Sequence, residues 1–364
     1  NNTNTTLSSN SDLTISNSKF INNKYVKSTV AGGAITTNKK DSTISNTLFQ
    51  GNKSLKNGGA ILHKGPLLIL TGGSFEDNEA TEMGGAICAN SYAKLDIDGT
   101  SFKNNTSATK DGVAIAINNS STSVIKNASF DGNKALGTDA AGGAIALIKG
   151  TLSIDNANFT NNQSNYGGAV YQYTNKNVAM DIKNSTFDSN IAKNGGGALG
   201  IFKEAKISGS KFINNKAETE DGGAIFLGAE SVTNIDNTIF NGNTAATDGG
   251  TITTRDYNAN NSAAKLDIVN STFTSNTATT NGGAINNYFY ISAENGEFVT
   301  IKDTTFDGNS AKNGGAVYNH GVADLNGKYG SIKADNVTFT NNTASNYGGA
   351  IYNEGNLDIS NSKF

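Results

Sequence analysis

Phe339-Thr340-Asn341-Asn342, then Gly348-Gly349-Ala350-Ile351, then Leu357-Asp358-Ile359, and a new Phe at 364 make one copy of a unit that recurs along the chain. Read outward from it, Phe falls at 20, 49, 75, 102, 130, 159, 187, 212, 240, 273, 306, 339 and 364. The steps run from 25 to 33 residues. Each of the first twelve Phe residues is followed three positions on by Asn: Asn23 follows Phe20, Asn105 follows Phe102, Asn190 follows Phe187 and Asn276 follows Phe273. Nine to thirteen residues after Phe comes the second position of a Gly-Gly-Ala-Ile-like tetrapeptide. Gly84-Gly85-Ala86-Ile87 and Gly282-Gly283-Ala284-Ile285 are regular copies, whereas Gly112-Val113-Ala114-Ile115 and Gly249-Gly250-Thr251-Ile252 deviate.

Before each Phe the chain alternates apolar and polar residues, as in Leu95-Asp96-Ile97 and Leu266-Asp267-Ile268. That is the period of a half-buried strand. One repeat of roughly 27 residues therefore offers three short extended segments, too few to bury a face alone. Stacking solves this, because each strand pairs with its counterpart in the next coil. Parallel pairing spaces coils by about 4.8 Å, so about twelve coils make a rod roughly 58 Å long. The crossover rule makes the coil right-handed. The expected fold is thus all-β, a right-handed parallel β-helix occupying residues 1–364 as one domain, read as a piece of a longer surface protein. Phe then stacks on Phe and Asn on Asn, as in stacked β-structures generally. Gly serves a corner where backbones approach closely. The residue before the Gly pair (Asn57, Asp221, Asp248, Asn281, Asn313) is expected to tolerate the left-handed region. Period two leaves open whether Ala or Ile of the tetrapeptide faces inward.

Composition agrees with a repeat and excludes other classes. Of 364 residues, 36% are hydrophobic, 16% charged and 42 are Gly, with one Pro and no Trp. A formal net charge of -3 and a single Arg, Arg255, leave no basic footprint for nucleic acid. Cys88 is the lone cysteine, so no internal disulfide or Cys-based zinc site is possible. No apolar run approaches the roughly 20 residues of a transmembrane helix.

The pairing of Phe-x-x-Asn with Gly-Gly-Ala-Ile, repeated twelve times, resembles the polymorphic outer membrane protein repeat of chlamydial autotransporter passengers. The same repeat occurs in adhesin-like surface proteins of other bacteria and of methanogenic archaea. The resemblance implies a right-handed β-helix, secretion to the cell surface, and adhesion to a glycan or protein of another cell. It supplies no catalytic motif, and the single Cys88 departs from the several that chlamydial passengers carry.

Function in solenoids resides where the repeat is broken. From the second Gly to the next Phe, three consecutive coils are widened: Gly250 to Phe273 and Gly283 to Phe306 span 23 residues, and Gly315 to Phe339 spans 24. Within these coils at 250–339, Arg255, Tyr257, Tyr288, Tyr290, His320 and Tyr329 form the candidate ligand surface, with Asp256, Phe289, Glu294 and Glu297 nearby. Asp221 and Asp248 hold one repeat position in adjacent coils, a candidate Ca²⁺ pair, although calcium takes six or more oxygens; no other cofactor is indicated. His63 and His320 follow different coils, and the chain reads as no enzyme. The alternatives are a filament subunit joined end to end to itself, and a β-helical polysaccharide lyase or hydrolase working through paired carboxylates. Sequons such as those at Asn104, Asn184 and Asn270 permit glycosylation of a secreted chain.

Overall fold

The computed structural model describes residues 6–26, 31–175, 177–255, 265–288, 299–321 and 331–364. They form strands and turns with no helix. The chain divides into two compact units, residues 1–181 and 182–364. Each unit is a right-handed parallel β-helix with six Phe strands.

In the first unit a representative coil consists of strands Ile87–Ser91, Lys94–Asp98, Ser101–Lys103 and Thr106–Ser107. All pair in parallel with their counterparts, Ile87 opposite Ile115, Leu95 opposite Leu68 and Phe102 opposite Phe130. The second unit repeats the plan with Ile285–Tyr288, Val299–Lys302, Thr305–Asp307 and Ser310–Asn313. Each coil thus carries four strands rather than three. The tetrapeptide strand and the Leu-x-Ile strand share one sheet, and run together as the single strand Ile115–Lys126. The two-residue strand after the buried Asn makes the third sheet, too short to register as alternation.

Phe forms the core. In the first unit successive rings from Phe20 to Phe159 stack at 4.6–5.0 Å between centroids and within 9° of parallel. From Phe187 to Phe364 in the second unit the spacing is 4.6–5.1 Å. Burying each ring contributes about 1.5–3 kcal/mol, and each aromatic pair about 0.5–1.5 kcal/mol more.

Beside the Phe stack runs the Asn ladder, which explains how so polar a chain closes a core. Asn243 is typical: its Nδ2 donates to Asn276 Oδ1 (3.0 Å) and to Phe212 O (2.9 Å). Its Oδ1 accepts from the backbone N and the Nδ2 of Asn215, both at 3.0 Å. All four amide valences are filled inside the protein, so complete burial carries no desolvation penalty left uncompensated. Asn78, Asn105 and Asn133 repeat the arrangement in the first unit. Asn190 does so in the second: it is fully buried, and its backbone N (3.1 Å) and Nδ2 (3.0 Å) both donate to Asn215 Oδ1. Asn23 departs from the expectation of a uniformly sealed file. Its backbone N (3.0 Å) and Nδ2 (2.8 Å) donate to Asn52 Oδ1 in the usual way. It is only half-buried, however.

Both glycines are needed for space, and the first for its conformation as well: a Cβ on Gly282 would lie 2.1 Å from Ile285 O. The first adopts the left-handed conformation, with φ of 68° at Gly84 and 61° at Gly282. The second is needed for space: a Cβ on Gly283 would lie 2.1 Å from Gly315 O and 2.6 Å from the Ser310 backbone. The residue before the pair has no positive φ at Asn57, Asp221, Asp248, Asn281 or Asn313. Asn takes that conformation elsewhere, three residues before Phe (Asn46, Asn127, Asn270) and two after it (Asn104, Asn214, Asn341). The expectation placed the right chemistry at the wrong corner, because the Gly already supplies the turn. Where Val113 replaces the second Gly, the neighbouring backbone stands off: a Cβ on Gly85 would meet Val113 O at 2.6 Å, against 1.9 Å between Gly59 and Gly85. Ala and Ile of the tetrapeptide are both sealed, as Ala284 and Ile285 at 0% exposure show.

Candidate binding surface

After the tetrapeptide the strand alternates. The residue two after Ile faces the core, and in the second unit these residues form another buried polar file. Thr254 Oγ1 donates to Asn287 Oδ1 (3.1 Å), Asn287 Nδ2 to Asn319 Oδ1 (2.7 Å) and Asn319 Nδ2 to Asn353 Oδ1 (2.7 Å). Residues one and three after Ile share the opposite, outward face. The residue before the Gly pair folds over that same face, as the ring of Tyr347 stacked on Tyr352 at 5.4 Å shows.

This outward arc brings together three of the expected ligand residues. Arg255 is registered against Tyr288, and the Tyr288 and His320 rings lie 4.2 Å apart. Each is the third residue after the tetrapeptide Ile or Val of its coil, and Glu354 occupies that place in the next coil. Tyr257, Tyr290 and Tyr329, with Asp256, Phe289, Glu294 and Glu297, lie outside the described residues.

The arc also holds residues beyond the expected set. Tyr318 packs 5.5 Å from Tyr352 and 5.6 Å from His320. Its hydroxyl donates to Glu354 Oε2 at 2.8 Å, and burial with that bond drives its pKa upward. Glu354 is pushed up by burial but held below the usual carboxylate range overall, by the Tyr318 and Tyr352 hydroxyls and the Gly321 N–H. The first unit has its own cluster. Tyr173 donates to Asp111 Oδ2, the Tyr171 and Tyr173 rings meet edge-on at 4.9 Å, and Tyr166 lies 6.5 Å from Tyr171. The signal for these residues was position: Tyr166, Tyr171 and Tyr173 stand before, one after and three after their own tetrapeptide. Of the twelve tyrosines, three are among the residues not described, and seven of the remaining nine occupy this arc.

Asp221 and Asp248 do adjoin, in a setting built from protein groups. Asp221, nearly sealed at 3% side-chain exposure, pairs with Arg255 and accepts from Thr247 Oγ1. Its Oδ1 also takes the backbone N–H of Asp248 at 3.1 Å. Asp248 in turn accepts from the Asn281 N–H at 3.0 Å. Among the described residues no group of three or more His, Cys, Asp and Glu is placed to hold a metal. Burial, and then the neighbouring Asp221 charge, raise the Asp248 carboxyl to about 6. A carboxyl raised in the folded state favours folding while protonated, and that advantage is lost as pH rises from about 4 to 6. Asp248→Asn is therefore expected to raise stability at pH 7 by about 1–2 kcal/mol, after discounting for partial exposure. The variant and the parent should converge near pH 4 in urea titrations. Equal midpoints at pH 7 would refute the ionisation penalty.

The remaining reactive groups are closed off. His63 sits in the core with Nδ1 2.5 Å from Thr37 Oγ1, and burial lowers it to about 4. Cys88 is buried and its thiol is pushed up to about 12. Of the sequons, Asn104, Asn184 and Asn270 all occupy exposed left-handed turns.

These features define a class: a parallel β-helix with repeated Phe and Asn files inside and, on the arc around the tetrapeptide, seven of its nine described tyrosines. Five segments, residues 46–64, 72–90, 270–288, 303–320 and 336–354, match the Chlamydia polymorphic membrane protein repeat. Each begins at the left-handed turn before Phe and ends on the outward residue three after the tetrapeptide Ile or Val. No curated protein matches the chain. Among solved structures, the catalytic domain of a GH87 alpha-1,3-glucanase in complex with nigerose is similar, with 13% identity and a TM-score of 0.38 over 90% of this chain. The chain spans 64% of that one.

Proposed function

We propose that the chain is an extracellular, adhesin-like β-helical stalk of a cell-surface protein, which attaches its bearer to a glycan or protein of another cell without catalysis. The observation that carries this reading is the concentration of aromatic residues on one outward arc of the coil, where seven of the nine described tyrosines stand. The polymorphic membrane protein repeats support the surface location. The pairing of Asp221 with Arg255 favours binding over hydrolysis, because a sealed, ion-paired carboxylate has no access to a substrate water.

Fluorescently labelled chain should bind a panel of host and microbial cells saturably, in competition with unlabelled chain. Absence of competable binding across the panel would overturn the adhesive role.

A further inference from the structure

We infer that the outward face formed by Tyr288, Tyr318, His320, Tyr352 and Glu354 is a subsite for an uncharged glycan chain lying along successive coils. This assignment rests on the adhesive reading above and gives its ligand a chemical class.

Ring geometry is the first argument. Interior Phe rings of this unit are parallel within 18°, so each face is consumed by its neighbours. On the outward arc Tyr288 and His320 are tilted by 59°, Tyr318 and His320 by 62°, and Tyr318 and Tyr352 by 43°. Tyr318 is closed, at 6% exposure, whereas Tyr288, His320 and Tyr352 are half-buried and keep part of their surface in solvent. Open aromatic faces suit the C–H-lined faces of pyranose rings, which are apolar while their rims are hydroxylated.

Spacing is the second. Adjacent coils are about 4.8 Å apart, close to the advance of an extended glycan per sugar. Tyr288, His320 and Glu354 thus offer one side chain per saccharide unit, the first two through ring faces and the third through a hydroxyl-accepting carboxylate.

Charge selects among glycans. Arg255 at the edge of the file is paired with Asp221, so it brings no net positive charge. Glu354 is held ionised, and His320, half-buried, has its pKa lowered by burial and is neutral near pH 7. The face is therefore neutral to acidic, which disfavours uronate, sialylated or sulfated chains by like-charge repulsion. The part-buried bond from the Tyr318 hydroxyl to Glu354 fixes the platform before a ligand arrives, which limits the ordering cost of binding.

The chain contains no Trp, so its intrinsic emission comes from twelve tyrosines, three of them on this face, and the Tyr288→Ala variant identifies their share. Titration with a neutral linear glucan oligosaccharide should change that emission saturably, and hyaluronate should not. Tyr288→Ala and His320→Ala are each expected to weaken binding at least tenfold with far-UV circular dichroism unchanged. Tyr288→Phe, which keeps the ring, should retain it, and Tyr92→Ala, at a 77% exposed site in the other unit, should have no effect. Tighter binding of hyaluronate, no binding by a panel of neutral α- and β-linked glucans, mannans and galactans, or full binding by both alanine variants would each overturn the assignment. Should cell binding persist while the neutral glycans fail, the ligand class is wrong and the adhesive role stands.

Discussion

Replacing Asn243 by Asp should unfold its coil locally and cost about 3–5 kcal/mol at pH 7, the range for a buried charge left without a partner. The change is one atom in size and leaves packing intact, so the cost is purely polar. Asn243 Nδ2 donates to Phe212 O and Asn276 Oδ1; a carboxylate oxygen in its place faces two acceptors with nothing to give. Only the bonds from Asn215 survive, because Oδ1 still accepts. The new carboxyl has a folded pKa raised by burial. The deficit is therefore full above that raised pKa and shrinks as pH falls toward 4. Urea midpoints at pH 7 and pH 4, with hydrogen exchange at Asn215 and Asn243, measure it. A midpoint within experimental error of the parent's at pH 7 would sink the account, as would a deficit independent of pH.

Gly283→Ala is expected to be as damaging for a different reason. The added methyl meets backbone on two sides, Gly315 O and the Ser310 main chain, and backbone cannot rotate away as a side chain does. Relief requires the adjoining coils to separate, breaking bonds such as Gly283 N–H to Gly314 O (3.1 Å) and Ala284 N–H to Ala316 O (2.9 Å). Overpacking of a rigid site costs about 1–3 kcal/mol, and each lost backbone bond adds about 1 kcal/mol. A total of about 3–5 kcal/mol follows from adding the two, read as a lowered urea midpoint and faster proteolysis within residues 265–321. Gly282→Ala should cost at least as much, because its methyl would lie 2.1 Å from Ile285 O and its left-handed φ adds about 1–2 kcal/mol. A Gly282→Ala variant clearly milder than Gly283→Ala would show that the turn yields more readily than the contact between coils.

Much of this was legible in the residues. Phe at 25–33-residue steps, Asn three later and the glycine pair dictate stacked parallel coils, because only stacking seals segments so short. The ladder of Asn105, Asn190 and Asn276 was readable for the same reason. The repeat alone does not distinguish Asn23 from them. The four-strand division was not legible, since Thr106–Ser107 is too short to alternate. The candidate surface was half legible. Coil widening directed attention to Arg255, Tyr288 and His320. It did not single out Tyr318, which lies inside the third widened coil, and it passed over Tyr352 and Glu354 beyond that coil and Tyr166, Tyr171 and Tyr173 in a coil of regular length. Their signal was phase relative to the tetrapeptide rather than length. Nor does spacing reveal that Arg255 neutralises Asp221, since the two stand 34 residues apart.

The ladder carries a consequence for how such chains change. Because Asn215, Asn243 and Asn276 present the same donors and acceptors at every step, spans of 28 and of 33 residues close on identical partners. A segment cut from one ladder Asn to the next is therefore a self-contained cassette with matching ends. Exchange between misaligned copies of the gene segment would lengthen or shorten a unit without creating a foreign junction. The outward residues ride within each cassette, so such an exchange would reshuffle the outward face while the interior stayed in register.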